Sequence, residues 1–206
     1  MKTFLMLLTL FLLSGPVAGQ PAASAASERQ EDSSVTAQQA AITARFAAVS
    51  TIESRFTQEK HMALLDKPVT SEGLFYFEKP GRIRWQYTKP FQNGFLIDGK
   101  KTYRLEKDQK EEQKNPMAYN LAAQLLAWLT FDLETLSKQY SVQFTPQGVI
   151  LTPLKEGFIS QITVTFSATN PQALSRVEIA ETGGDKTVLR FINPKTNQKL
   201  PAEAFK

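Results

Sequence analysis

The chain has 206 residues, no cysteine, one histidine and a formal net charge of +4. The absence of cysteine excludes disulfides, thiolate metal sites and attachment of lipid to an N-terminal cysteine. A single histidine excludes a histidine-rich zinc site, and basic residues spread along the chain give no support for a nucleic-acid partner.

The first 19 residues have the pattern of a secretory signal peptide. Lys2 supplies a short positive region, an apolar stretch runs from Phe4 to Leu13, and Val17-Ala18-Gly19 places small residues before a cut ahead of Gln20. The apolar stretch is about ten residues long, half of the roughly 20 that a membrane span needs. We therefore favour a cleaved leader over a retained membrane anchor.

Residues 20–34 are mostly Ala, Ser, Gln and Glu and predict a disordered lead-in. Residues 35–206 are long enough for one domain with a single core. A secreted chain of this size without cysteine suits a bacterial periplasm better than an extracellular disulfide scaffold.

The domain begins with a predicted helix and continues as strands. Apolar residues at helical spacing predict the helix from Val35 to Val49. Alternation of apolar and polar residues then predicts about five strands, with Asp98-Gly99 as a hairpin signal; they lie at Ile52–Glu59, Glu72–Lys79, Arg82–Thr88, Phe95–Ile97 and Thr102–Leu105. The charged stretch Glu106 to Lys114 is expected to break the series.

Two of these strands form a basic-aromatic hairpin that turns at Pro80-Gly81. Along its second strand Ile83, Trp85 and Tyr87 point one way, while Arg82, Arg84 and Gln86 point the other. The hairpin therefore offers a large aromatic surface. The sequence leaves open whether that surface packs in a core or faces a ligand.

An uncharged segment in the middle of the chain predicts a second helix. Asn115-Pro116 is a good helix start, and residues 117–131 contain no charge. Leu121, Leu125 and Trp128 lie on one stripe, but apolar residues cover nearly every side. Such a helix either plugs the mouth of a sheet or forms a lid over an apolar pocket, and periodicity does not separate the two.

Strands resume beyond this helix. They are predicted at Val142–Thr145, Val149–Thr152, Phe158–Phe166, Leu174–Glu181 and Lys186–Ile192. Consecutive hairpins indicate an antiparallel meander, because parallel pairs need long crossovers. A half-apolar sheet must cover its apolar face by curling into a barrel or by wrapping round helices. The fold class is α+β.

The sequence offers little for catalysis. His61 would be needed for any Ser–His–Asp arrangement, and no Gly-x-Ser-x-Gly turn accompanies it. There is no Gly-rich phosphate loop, and the carboxylates near Glu111 are interleaved with lysines as on a solvated face. We expect binding without enzymatic activity, cofactor or metal, and an esterase is strongly disfavoured.

Several ordered motifs together resemble the LolA family of periplasmic lipoprotein carriers. The resemblance runs from about Ala44 to Leu200 and is strongest before Lys101. Its motifs are Arg45-Phe46-Ala47-Ala48-Val49-Ser50-Thr51-Ile52, Arg55-Phe56-Thr57-Gln58, Gly73-Leu74-Phe75-Tyr76-Phe77-Glu78-Lys79-Pro80-Gly81-Arg82-Ile83-Arg84-Trp85, Thr88-Lys89-Pro90 and Leu96-Ile97-Asp98-Gly99-Lys100, followed by the apolar helix.

The resemblance implies an incomplete antiparallel β-barrel of about ten to eleven strands, with α-helices as a lid over an apolar cavity. In the family that cavity takes up the acyl chains of lipoproteins released at the inner membrane, and the cargo passes to an outer-membrane acceptor. It implies a monomeric carrier whose cargo is an acylated lipoprotein or a related lipid. The alternative is a lipid-sensing or regulatory interaction domain on the same scaffold.

The resemblance also implies site residues. Lys79 occupies the position of a family arginine that hydrogen-bonds to the lid and latches it, and Arg82 or Arg84 could take over that role. Phe46 matches a first-helix position that faces the cavity, and Ile83 and Trp85 match wall positions. The other expected residues of the cavity and lid are Phe75, Phe77, Tyr87, Phe95, Met117, Leu121, Leu125 and Trp128, the last four chosen from the helical stripe.

Overall fold

Eleven antiparallel strands form one continuous sheet in the computed structural model, which describes residues 36–107, 109–114, 132–170 and 172–206. The strands are β1 (Thr51–His61), β2 (Val69–Glu78), β3 (Arg82–Lys89), β4 (Asn93–Asp98), β5 (Lys101–Glu106), β6 (Gln109–Glu112), β7 (Tyr140–Thr145), β8 (Gly148–Pro153), β9 (Ile159–Phe166), β10 (Leu174–Glu181) and β11 (Lys186–Thr196). Helix α1 covers residues 36–47, and the short helix α2 covers Leu133–Ser137.

The first and last strands join two meanders into one sheet. The spatial order is β6-β5-β4-β3-β2-β1-β11-β10-β9-β8-β7, so β1 pairs with β11 at the centre. Among the described residues β6 and β7 each pair on one side only, and the sheet is therefore not closed. The open antiparallel sheet of ten to eleven strands predicted from the sequence is confirmed.

One face of this sheet holds the core. We call it the inner face and define it by Ile83, Trp85 and Tyr87 of β3. Strand pairing places Phe75, Trp85 and Phe95 opposite one another across β2, β3 and β4, so that their side chains share this face. Buried side chains from the other strands, from α1 and from α2 join the same apolar cluster; they include Ile42, Phe46, Leu136, Leu151, Ile162 and Phe191.

The two ends of the sheet differ. At one end of the sheet the chain leaves α1, passes Val49 and begins β1, and we call this the helix end. At the other end lie the β1–β2, β3–β4, β8–β9 and β10–β11 connections, because each of them follows a strand that runs away from α1. We call this the loop end. α2 also lies at the loop end, since it leads directly into β7.

The first predicted helix is confirmed for its described part, and the charged stretch corrects one prediction. Gln109–Glu112 is not a break in the series but β6, which pairs with Tyr103–Glu106. An edge strand needs only backbone pairing on one side, and charged side chains protect such an edge from further pairing. Apolar alternation therefore could not identify it.

Two other outcomes concern helices. α2 was not predicted; Asp132 caps it by accepting a hydrogen bond from the Thr135 backbone N–H, and Leu136 is buried in the core. The predicted central helix 117–131, with Met117, Leu121, Leu125 and Trp128, lies outside the described residues.

Candidate functional site

Aromatic rings occupy the inner face of β1 to β4. Trp85 lies at the centre of this group, with its ring centroid 4.3 Å from that of Phe56 and 5.6 Å from that of Phe75. It stacks on Phe95 at 6.3 Å with an interplanar angle of 5°, and Phe191 of β11 approaches it edge-on at 6.3 Å. These separations lie in the range of favourable ring contacts.

The structure divides the described candidate cavity residues into two groups. Phe46, Phe75, Phe77 and Ile83 are almost fully buried in the core. Trp85, Tyr87 and Phe95 pack against that core but are only partly buried. The first group holds α1 and the sheet together, whereas the second retains surface that could contact a ligand.

Sequence reasoning missed two members of the aromatic group. Phe56 is 1% exposed and lies opposite Gly73 of β2 and Phe191 of β11. A side chain at position 73 would meet the Phe56 ring, since a Cβ there would lie 2.4 Å from its Cζ atom. The alternation in β1 and β11 signalled both phenylalanines, but their meeting depends on the β1–β11 pairing.

The other half of the inner face mixes aliphatic and aromatic side chains. Strands β7 to β10 contribute partly buried side chains that pack against the same core, among them Val142, Val164, Phe144 and Phe166. The Phe166 ring lies 5.3 Å from that of Phe46 in α1. Both halves of the inner face are therefore apolar.

The inner face becomes polar toward the loop end. The Tyr87 hydroxyl donates a 2.8 Å hydrogen bond to Gln58 Oε1, and burial raises the pKa of Tyr87. Two residues after Gln58 on β1, Lys60 Nζ lies 3.3 Å from Glu181 Oε1, and the Glu181 side chain is only 7% exposed. A polar fringe therefore separates the apolar inner face from the loops.

Lys79 contacts the carboxyl end of α1. Its Nζ atom donates to the backbone carbonyls of Phe46 at 2.9 Å and Ala47 at 2.8 Å. Carbonyls in the last turn of a helix lack intrahelical partners, and a cation there also interacts favourably with the helix dipole. Of the three candidate latch residues, Lys79 is the one with hydrogen bonds to a described helix.

Asn197 is a second contact at this end that sequence reasoning did not select. Its Nδ2 donates to the Ala48 carbonyl at 3.0 Å, and its Oδ1 accepts from the Ser50 backbone N–H at 2.7 Å. Its φ of 57° lies in the left-handed region, which Asn tolerates better than most residues. The segments that follow β2 and β11 therefore hold the residues at the carboxyl end of α1.

Arg82 and Arg84 point to the opposite, outer face and contact the C-terminal segment. Arg84 Nη1 donates to the Lys206 carbonyl at 2.6 Å, and the Arg82 guanidinium lies 4.0 Å from the centre of the Phe205 ring. Arg82 also pairs with Glu78 at 2.9 Å. A latch role for either arginine stays a prediction, and their described partners lie away from α1.

In the part of the chain that the structure describes, no cluster of three or more His, Cys, Asp or Glu side chains could hold a metal ion. None of the described helices has the length and apolar character required to span a membrane.

Comparison with known proteins relates the chain to one family. The family model described as "Outer membrane lipoprotein carrier protein LolA" matches residues 47–206. An outer-membrane lipoprotein carrier protein of Methylibium petroleiphilum is 30% identical over 166 residues, covering 77% of this chain and 79% of the relative. One of Cupriavidus taiwanensis is 31% identical over 143 residues, covering 66% of each chain.

A solved structure supports the fold alone. The crystal structure of MucB has a TM-score of 0.51 and 13% sequence identity, covering 82% of this chain and 62% of that chain. At that identity the likeness concerns the path of the backbone.

Proposed function

Because the chain belongs to the LolA family of outer membrane lipoprotein carrier proteins, we propose that it carries acylated lipoproteins, or a related lipid cargo, from the inner to the outer membrane. The single observation that carries the proposal is the partly exposed apolar surface of the inner face. Trp85 and Phe95 lie there, partly exposed, beside the fully buried core residues. In the part of the chain that the structure describes, the edge strands β6 and β7 do not pair with each other.

The physical chemistry of acyl chains suits this surface. Three acyl chains contain on the order of 40 methylenes, and burial of each methylene away from water contributes about 0.8 kcal/mol of favourable free energy. The free-energy cost of exposing these chains to water therefore prevents free diffusion between membranes, and a carrier must bury their apolar surface reversibly. Aromatic and aliphatic walls do so without specific polar contacts, and no catalytic step is required.

The wall and lid assignments follow from this reading. Trp85, Tyr87 and Phe95 would contact the chains directly, while Phe46, Phe75, Phe77 and Ile83 would support them from the core. The stripe Met117, Leu121, Leu125 and Trp128 remains our prediction for the inner side of a lid. Lys79 would hold α1 while cargo is bound.

The cellular setting is part of the proposal. We propose that residues 1–19 are a leader removed during export, that 20–34 form a lead-in, and that the domain 35–206 works in the periplasm. Its partners would be an inner-membrane release complex and an outer-membrane acceptor, and it would act as a monomer without enzymatic activity.

A first test identifies the cargo. The mature chain is purified from the periplasm and examined by native and then denaturing mass spectrometry. We expect a triacylated protein or peptide to co-purify. A free lipid would keep the carrier function with another cargo, and a chain that is empty and takes up no acyl probe would favour an interaction domain.

A second test places the acyl chains. Trp128→Phe leaves Trp85 as the single tryptophan of the chain, so that quenching by a brominated fatty acid reports contact at Trp85. We expect saturable quenching that Phe95→Glu abolishes, because a charge on the inner face opposes burial of the chains.

The matched control for the second test is Tyr103→Glu. Position 103 lies on the neighbouring strand, opposite Leu96 and on the outer face, so this variant should be quenched normally. Equal quenching in both variants would mean that the inner face is not the binding surface.

A further inference from the structure

Exposed apolar side chains gather at the loop end of the sheet. In the part of the chain that the structure describes, the large hydrophobic residues with exposed side chains are Leu64, Leu65, Val69, Phe91, Leu154 and Phe158. All six lie in or directly beside the β1–β2, β3–β4 and β8–β9 connections. Leu64, Phe91 and Phe158 are 96%, 73% and 71% exposed, and we call these three residues the apolar tips.

The loops that present the tips are held by hydrogen bonds. The Ala63 backbone N–H donates to Asp185 Oδ1 at 2.9 Å, which ties the β1–β2 loop to the β10–β11 turn. The Thr182 backbone N–H of that turn donates to the Phe158 carbonyl at 2.9 Å. The β1–β2 and β8–β9 loops are therefore tied to the same β10–β11 turn. The β3–β4 loop, which carries Phe91 at the same end of the sheet, is held by the Lys107 backbone N–H, which donates to the Gln92 carbonyl at 2.9 Å. The tips are thus exposed by a defined backbone rather than by fraying.

The tips are separate from the apolar inner face. The Gln58–Tyr87 hydrogen bond and the Lys60–Glu181 ion pair lie between the inner face and the loop end. An exposed apolar group beyond a polar fringe contributes nothing to the core. Exposed apolar patches of this kind mark surfaces that contact a protein or a membrane.

The charges beside the tips are balanced. Asp66 and Lys67 are adjacent in the β1–β2 loop, and Lys155 and Glu156 are adjacent in the β8–β9 loop. Beside Phe91, Lys89 Nζ lies 3.1 Å from Glu72 Oε2. Lysine stems can extend along an apolar phase while their ammonium groups stay in water, but each of these three lysines has a carboxylate beside it that balances its charge.

This arrangement fits a lipid bilayer better than a folded partner. The tips stand on three separate loops, and a fluid interface accepts single apolar side chains without shape complementarity, whereas a protein would need matching pockets. We propose that the loop end docks on a phospholipid bilayer, with Leu64, Phe91 and Phe158 entering the interfacial region. The inference rests on the proposed function, because the release complex and the acceptor proposed above both lie at membranes.

Vesicle flotation tests the docking surface with the mature full-length chain. The vesicles contain either phosphatidylcholine alone or phosphatidylethanolamine and phosphatidylglycerol at three to one. We expect the chain to float with both kinds, with little dependence on salt, because burial of apolar surface drives the association. Each of Leu64→Ser, Phe91→Ser and Phe158→Ser should weaken partitioning about tenfold.

The neighbouring exposed residue provides a matched control. Gln92→Ser introduces the same serine beside Phe91 without removing an apolar side chain, and should float like the parent chain. The proposal is overturned if the parent chain does not float, or if the triple tip variant floats as well as the parent. It is also overturned if flotation requires phosphatidylglycerol and disappears in high salt, since the attraction would then be electrostatic.

A parallel measurement separates this inference from the proposed function. The triple tip variant should take up an acyl probe as the parent chain does, because the tips lie outside the inner face. A parent chain that floats but takes up no probe would refute the carrier function and leave the docking surface standing. A tip variant that loses transfer to a purified acceptor protein without any vesicles would point to a protein partner and overturn the inference.

Discussion

The two faces of strand β3 differ in what covers them. On the inner face Ile83 is buried and Trp85 packs among phenylalanine rings from four other strands. On the outer face Arg82 and Arg84 contact the C-terminal segment through a ring contact and backbone carbonyls. One face is covered by many apolar contacts and the other by a few polar ones.

The difference shows where stability and function can be separated. Apolar burial contributes free energy in proportion to area, so residues of the inner face should dominate unfolding. Polar contacts at a half-exposed surface contribute less, because water competes for the same groups. The partly exposed inner residues, such as Trp85 and Phe95, are left for binding.

The largest expected difference between the faces lies within β2. Phe77 is 0% exposed on the inner face, and its neighbour Tyr76 is half-buried on the outer face. Phe77→Ala should lower the free energy of unfolding by about 3–5 kcal/mol, because it leaves a cavity in the core. Tyr76→Ala should cost about 1–2 kcal/mol. Urea denaturation measures both, and equal losses would contradict the comparison.

The outer face can be weakened on its own through Arg84. Arg84→Ala removes the hydrogen bond to the Lys206 carbonyl and should cost about 1–2 kcal/mol. Carboxypeptidase should then remove the last residues faster. Arg104→Ala is the control, because Arg104 is 60% exposed and pairs only with Glu106 among the described contacts. A larger loss in the control than in Arg84→Ala would refute the role of the C-terminal contact.

Lys79 connects the sheet to α1, and its removal should have a smaller effect. Lys79→Leu deletes the charged hydrogen bonds to the carbonyls of Phe46 and Ala47 and should cost about 1 kcal/mol. Amide hydrogen exchange should rise in the last turn of α1. As a latch, Lys79 should be dispensable for cargo uptake but required for normal release.

Lys79→Arg is the conservative control for that prediction. Arginine keeps a cation within reach of the carbonyls, so exchange in α1 and cargo release should stay close to those of the parent chain. Transfer kinetics that do not change in Lys79→Leu would place the latch elsewhere.

The smallest effect appears only in alkaline solution. Burial raises the pKa of Tyr87 above its ordinary value of about 10. A raised pKa means that the folded state favours the neutral hydroxyl over the phenolate. The stability that this preference contributes is complete below pH about 10, the pKa of the unfolded chain, and is lost as pH rises through the pKa of the folded state. Tyr87→Phe should therefore flatten the fall in the free energy of unfolding above pH about 10, as measured by urea denaturation at a series of pH values.

Much of the sheet could be predicted because local signals were strong. Alternation marked ten strands and the turns between them, and helical spacing marked α1. Strand β6 was missed, since an edge strand of charged residues has no apolar face to reveal it. Helix α2 was missed because five residues are too few to show a helical period.

The candidate site was predictable only in part. The spacing in β3 identified Trp85 and Tyr87, but nothing local indicated that Phe191 would reach Trp85, since this contact requires β11 to pair beside β1. Asn197 was missed for the same reason, because its hydrogen-bond partner Ala48 lies 149 residues earlier in the sequence. The family resemblance suggested Lys79 as a latch, and the structure shows that it contacts the carbonyls of Phe46 and Ala47.

The antiparallel meanders, the helix that precedes them and the two-sided character of β3 follow from the amino-acid sequence, because they depend on residues close along the chain. The pairing of β1 with β11, which joins the two meanders into one sheet, is visible only in the folded chain. That pairing sorts the aromatic residues into buried and partly exposed groups and places the apolar tips at one end of the sheet. Such outcomes depend on contacts between distant residues, and a local pattern contains no information about which distant strand will become its neighbour.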